Sequence, residues 1–254
     1  ESPLRTITRA QSENLKARLG PGIFVDWAMR YGTPSVAERL TAMKDAGAER
    51  IVLFPLYPQY AAATTATALD CAYDALKQMR WQPAIRTVPP YHDDRRYISA
   101  LAASLRSHLT GLDWEPEVIL ASFHGLPQRY LELGDPYHCH CQKTTRLLAE
   151  EMGLDDKQLR ITFQSRFGRE EWLKPYTDET ARDLAREGVK NLAVISPAFA
   201  ADCVETLEEL SIGLREIFEA AGGKNFTVVP CLNDSNDGMD VIEAITRREL
   251  QGWV

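Results

Sequence analysis

No apolar run in the 254-residue sequence approaches the roughly 18 residues of a membrane-spanning helix. Its start lacks the charged, apolar and small-residue order of a secretory signal, so a cytoplasmic home is expected. Cations are in the minority, 29 Lys and Arg against 36 Asp and Glu. The resulting charge of −7, with no basic stripe to offset it, argues against a nucleic-acid partner. Only five cysteines are present, an odd number that does not read as a disulfide framework. The first residue is Glu1 and not methionine, which fits a processed chain or a fragment. What remains, 44% apolar and 26% charged, is ordinary for a globular protein with a substantial core.

Short apolar runs alternate with amphipathic ones. Ile23–Met29, Arg50–Leu56, Ala84–Val88, Glu117–Phe123, Leu159–Gln164, Asn191–Ser196 and Phe226–Pro230 read as strands covered on both faces. Ser35–Ala46, Ala66–Met79, Asp93–Leu109, Lys143–Met152, Asp178–Arg186 and Glu205–Ala220 read as helices, the first capped by Thr33 with Pro34 in its first turn. This alternation predicts an α/β fold with a parallel sheet and right-handed crossovers.

The chain also repeats itself. A strand, an Arg-aromatic-Gly turn (Arg30-Tyr31-Gly32), a helix, Gly47 and an apolar strand recur as Arg166-Phe167-Gly168, a helix, Gly188 and another apolar strand. The spacing differs by several residues between the copies. Two similar α/β lobes are expected, joined near the turn-rich Gly111–Pro116. Ligands of such sheets lie beyond the carboxyl ends of the strands.

Those ends carry the chemistry. His124 closes the run EVILASF, followed by Gly125 and Pro127, where a side chain would face the crevice; a plain structural histidine is the competing account. Asp202, Glu205 and Glu209 fall at i, i+3 and i+7, on one helix face just after SPAF. A solvated acidic face near a helix start would look the same. Carboxylates facing an imidazole suit acid–base work or a borderline divalent metal such as ferrous iron. The hydroxyl-rich Pro58–Thr67 reads equally as an anion cradle at a helix start or a plain loop. Tyr31, Tyr57, Tyr60, Trp172 and Phe199 lie near the same ends, where a flat apolar ligand or an ordinary core would use them. Cys139 and Cys141 are too close for the usual two-residue metal knuckle and read either as free thiols or, with Cys203 and Cys231, as iron–sulfur ligands.

Three segments, FPLYPQYAAATTAT, SFHGLPQRYLELGDPY and SPAFAADCVETLEEL, resemble in order and spacing the signatures of ferrochelatase, and TFQSRFGREEWLKPYTDET resembles its proteobacterial branch. The resemblance covers nearly the whole chain. It implies two Rossmann-like chelatase lobes, here 1–112 and 113–254, with the last helix packing back on the first lobe and a porphyrin cleft between them. Family members begin with a further strand and a G-T-P loop, so it also implies an incomplete first lobe.

The implied activity is insertion of Fe²⁺ into protoporphyrin IX, the last step of haem synthesis, with porphyrin and iron as the partners, no required cofactor, and contact with a lipid surface for a greasy substrate. By matching positions, His124 and Glu205 are the implied catalytic and metal-contacting pair, and Asp202 and Glu209 an acidic path beside them. Arg30, Tyr31, Tyr60, Trp172 and Phe199 would line the porphyrin pocket. Animal members hold a 2Fe–2S cluster largely through a C-terminal extension; without one, a cluster here would draw on Cys139, Cys141, Cys203 and Cys231. The rival readings are a chelatase for coproporphyrin or sirohydrochlorin, and a porphyrin- or haem-binding module without catalysis.

Overall fold

A computed structural model describes residues 2–254. Among the described residues, six strands form two parallel sheets. The smaller pairs β1 (Arg50–Leu53) with β2 (Ala84–Thr87). The larger has the order β4-β3-β5-β6, from β3 (Val118–His124), β4 (Leu159–Gln164), β5 (Asn191–Ile195) and β6 (Asn225–Val228). The helices are α1 (Pro3–Leu19), α2 (Val36–Asp45), α3 (Thr67–Lys77), α4 (Arg95–Thr110), α5 (Gln128–Glu132), α6 (Tyr137–Met152), α7 (Thr177–Arg186), α8 (Arg215–Ala220) and α9 (Asn236–Leu250). Two π-helical segments, Ala62–Ala66 and Glu205–Leu214, lead into α3 and α8. The fold is α/β with parallel sheets flanked by helices, as the alternation predicts.

The central strands are buried on both faces because both of their side-chain rows are apolar. Ile119, Ala121 and Phe123 of β3 enter one core with Leu105, Leu148 and Ile245. Val118 and Leu120 enter another, with Leu192, Leu210 and Phe218. The first core draws on residues from Ala61 to Ile245, since α4 packs on both α6 and α9.

The repeat is sharper in three dimensions than in one. Arg50 and Asn191 open β1 and β5, Ala84 and Asn225 open β2 and β6, and Arg95 and Asn236 open α4 and α9. Each pair lies 141 residues apart (191 − 50, 225 − 84, 236 − 95). Pro34 and Pro175 fall in the same register, both after cis peptide bonds, and their carbonyls accept from Met29 and Phe163. Gly47 and Gly188 match as well, both at the positive φ that favours glycine. The spacing difference is confined to the turn ahead of each proline.

Three expectations need correction. Ile23–Met29 forms no strand and joins no ladder beyond one bridge from Met29 to Ser35. The matching β4 reaches its sheet only through β3, and no described strand stands between Ile23–Met29 and β1. Helix α2 is capped by Ser35, not Thr33, because Ser35 and Glu38 close a reciprocal capping box. Glu205–Ala220 is helical, but its first ten residues are π-helical; Ser211 Oγ bonds back to the carbonyl of Thr206, five residues earlier.

Candidate active site

Because all four strands of the larger sheet run the same way, the ends of β3, β4 and β5 meet at one edge. A cavity of about 840 Å³ opens there, within the roughly 300–1,000 Å³ of small-molecule sites. Its lining takes His124, Tyr137, Phe199 and Glu205 from the second half of the chain and Arg30, Tyr57 and Gln59 from the first.

His124 is the last residue of β3. Its Nδ1 lies 2.7 Å from the carbonyl oxygen of Gly125. A carbonyl only accepts, so Nδ1 carries a proton, and in the neutral ring the lone pair is on Nε2. The backbone behind is held by the hydroxyl of Tyr137, which donates to the His124 carbonyl at 2.9 Å. The Phe199 ring stands 6.4 Å from the imidazole.

Glu205 opens the second π-helical segment and also bounds a smaller pocket, about 340 Å³, with Val204, Glu208 and Glu209. One acid therefore faces both spaces. The Glu205 carbonyl accepts from Gln164 Nε2 at 3.0 Å, which ties this helix start to the end of β4. Glu209 is held by Ser165, whose backbone N–H donates to it at 2.7 Å and whose hydroxyl donates at 2.5 Å. Burial and the neighbouring Glu205 push the Cys203 thiol up to about 12, so it stays protonated at neutral pH.

Asp202 does not share the helix face with the other acids. It precedes the helix, and its carboxylate accepts from Asn233 Nδ2 (2.7 Å) and Thr206 Oγ1 (2.9 Å), bracing the loop after β6. Glu208, unremarked in the sequence, takes its place beside Glu205; the i, i+3, i+7 rule assumes an α-helix that is absent here.

Arg30 and Phe199 line the large cavity, and Arg30 Nε is buried without a hydrogen-bond partner. Tyr31, Tyr60 and Trp172 do not line it. Tyr31 is 76% exposed, with the Arg30 guanidinium 4.5 Å above its ring. Trp172 is buried behind Gly125, and Tyr60 offers its backbone N–H to His140. In Pro58–Thr67 the Ala62 N–H is taken by the protein's own Asp135 carboxylate, at 2.7 Å. Tyr137 and Gln59 lie inside two of the segments that resemble ferrochelatase, but no spacing along the chain singles out either side chain.

The four cysteines do not converge. Cys139 is exposed and Cys141 buried on different sides of α6, while Cys203 and Cys231 lie by the Asp202 loop. Among the described residues no three His, Cys, Asp or Glu side chains form a metal-holding group, so this set does not fit an iron–sulfur cluster. No helix among them is long and apolar enough to cross a membrane.

The ferrochelatase family model matches residues 1–250. The ferrochelatase of Agrobacterium fabrum is 61% identical over 256 residues, covering all of this chain and 74% of that protein. That of Rhizobium etli is 60% identical with the same coverage. Among solved structures, SirB from Bacillus subtilis with Fe³⁺ superposes with a TM-score of 0.72 at 13% identity, over 100% of this chain and 93% of that one, which speaks for the fold alone. With its family model matched almost end to end and relatives this similar, the chain belongs to the ferrochelatase family.

Proposed function

We propose that this ferrochelatase seats protoporphyrin IX in the 840 Å³ cavity between the two lobes, residues 1–112 and 113–254, and inserts Fe²⁺ there with His124 as proton acceptor and Glu205 as the acid that meets the metal. The reading rests on one observation above the rest. The Nδ1 contact to Gly125 makes Nε2 the basic nitrogen of the neutral ring, at the end of β3 and on the same cavity that Glu205 lines.

Metal insertion exchanges two pyrrole N–H protons for one Fe²⁺. In a flat ring those nitrogens point inward, so contacts remote from the centre have to bend the ring and expose them. His124 Nε2 takes the two released protons one after the other and gives each up to solvent before the next. Glu205, with Glu208 and Glu209 in the adjoining pocket, supplies anionic oxygens that suit Fe²⁺ and raise its local concentration. Arg30, with its unpartnered buried Nε, suits a carboxylate on the rim of the ring. Delivery of the greasy ring from a lipid surface would engage the exposed Tyr31 and Phe167, which tip the two matched Arg-aromatic-Gly turns.

The test is zinc insertion into protoporphyrin, followed by fluorescence. His124→Ala loses roughly 10²- to 10⁴-fold in kcat, the usual worth of a general base, with an unchanged circular-dichroism spectrum. Glu205→Gln loses on the order of 10²-fold, as for a positioned charge. Near-normal turnover in either variant removes that residue from the reaction.

A further inference from the structure

The start of α6 touches two segments that line the cavity. Tyr137 Oη holds the carbonyl of His124 on one side. On the other, Asp135 accepts from Ala62 N–H, and one turn along the helix Nδ1 of His140 accepts from Tyr60 N–H at 3.2 Å. A backbone amide only donates, so Nδ1 of His140 is unprotonated. The segment these bonds hold, Tyr57–Thr64, puts Tyr57, Gln59 and Thr64 into the cavity lining.

His140 has a partner. Its ring stacks on that of His92, centroids 3.6 Å apart and planes 7° from parallel. Asp93 faces the pair, its carboxylate 4.0 Å from His92 Nε2 and bound by Lys143 at 2.5 Å; Asp135 faces His140 from the turn ahead of α6. Next along α6, Thr144 Oγ1 donates to the His92 carbonyl at 2.8 Å and accepts from the buried Gln59 at 3.1 Å. Burial pushes both imidazoles down, His92 to about 4 with the charge of His140 adding to the effect. A proton on His140 would cancel the acceptor for Tyr60 and set a cation against the face of the second ring.

We propose that His140, stacked on His92, is a positioning residue for metal insertion: its neutral Nδ1 clips the Tyr57–Thr64 wall to α6 while Tyr137 of the same helix holds the His124 wall, so that one helix sets the spacing of the slot. The proposal rests on the reading of the cavity as the porphyrin site. Neither ring lines the cavity, so the clip governs porphyrin binding and leaves proton transfer alone.

The experiment compares wild type, His140→Asn and His140→Phe from pH 8 to 5 by zinc insertion, with amide hydrogen exchange at Tyr60 as a readout free of catalysis. Asparagine offers an oxygen near the place of Nδ1 and does not titrate; phenylalanine keeps a flat ring against His92 but accepts nothing. His140→Phe raises the porphyrin KM roughly fivefold to tenfold at pH 7.5, the net worth of one hydrogen bond, with kcat held within about twofold and rapid exchange at Tyr60. His140→Asn matches wild type at pH 7.5 in KM and exchange, and loses the acid-side rise in KM that wild type shows. An unchanged KM or an equally protected Tyr60 amide in His140→Phe overturns the proposal, as does an acid limb in His140→Asn identical to wild type. Should no form metalate porphyrin, the cavity reading fails, and Tyr60 exchange still decides whether the clip exists.

Discussion

A Cβ on Gly125 would sit 2.7 Å from the carbonyl oxygen of Gln164 and 3.1 Å from Cε3 of Trp172. The glycine lets β3 turn away against β4 while its own carbonyl fixes the tautomer of His124. No rotamer relieves a clash between Cβ and backbone, so the strand end has to shift. Gly125→Ala is therefore expected to cost about 1–3 kcal/mol of stability, as overpacking does, and to lower kcat because the His124 carbonyl partner moves with it. Urea unfolding and zinc insertion measure the two effects. A variant normal in both would mean that the Trp172 wall yields freely. The place of His124 at a strand end on the cavity was legible in the sequence, as an apolar run closing on imidazole and glycine, while its role came only from the family resemblance. Asp202 was misread for an equally local reason: its side chain answers to Asn233 and Thr206, partners that no spacing along the chain exposes.

At the scale of elements, strands β1 to β6 and helices α2 to α4, α6 and α7 followed from apolar period and caps, with shifts of a few residues except at the start of α6. Helix α6 begins at Tyr137, six residues earlier than its periodicity suggests, since Tyr137 and Cys141 are buried by neighbours outside the helix. Ile23–Met29 looks like a strand by composition, yet a ladder needs a neighbour with free edge groups, and that is a property of the sheet. The π-helical segments left no trace in the period of apolar residues. The cap of α2 was written plainly as Ser35 and Glu38, and the Thr-Pro pair beside it drew the eye instead. Ser35→Ala removes the acceptor for Glu38 N–H. The expected cost is about 1 kcal/mol, read as a lower urea midpoint with an unchanged slope, and no change in metalation. A loss of activity at full stability would tie α2 to the cavity more tightly than its cap does.

Across the whole molecule, four imidazoles share one fate. His92, His108, His138 and His140 are all pushed below the ordinary histidine range, and burial is the leading cause for each. Three join elements distant in sequence: His108 meets Thr227 of β6 at 2.7 Å, and His92 and His140 tie the loop before α4 to α6. Once unfolded, each titrates near 6.5. Below that value the unfolded chain binds protons that the folded one resists, so the free energy of unfolding falls as pH falls. Above it, these groups contribute no slope. The lower end of the window is near pH 4, set by His92, where Asp93, held down by Lys143, begins to add a loss of the same sign. Each imidazole is partly solvated, so its slope stays under the roughly 1.4 kcal/mol per pH unit of one fully linked proton. Urea unfolding at pH 8, 7, 6 and 5 is expected to give near-constant stability over the first two points and a decline through the last two. His92→Asn should flatten that decline by removing the deepest of the four. A stability that holds level or climbs from pH 6.5 to 5 would show that these rings take up protons in place, and the account of the fold as closed around neutral histidines would fail with it.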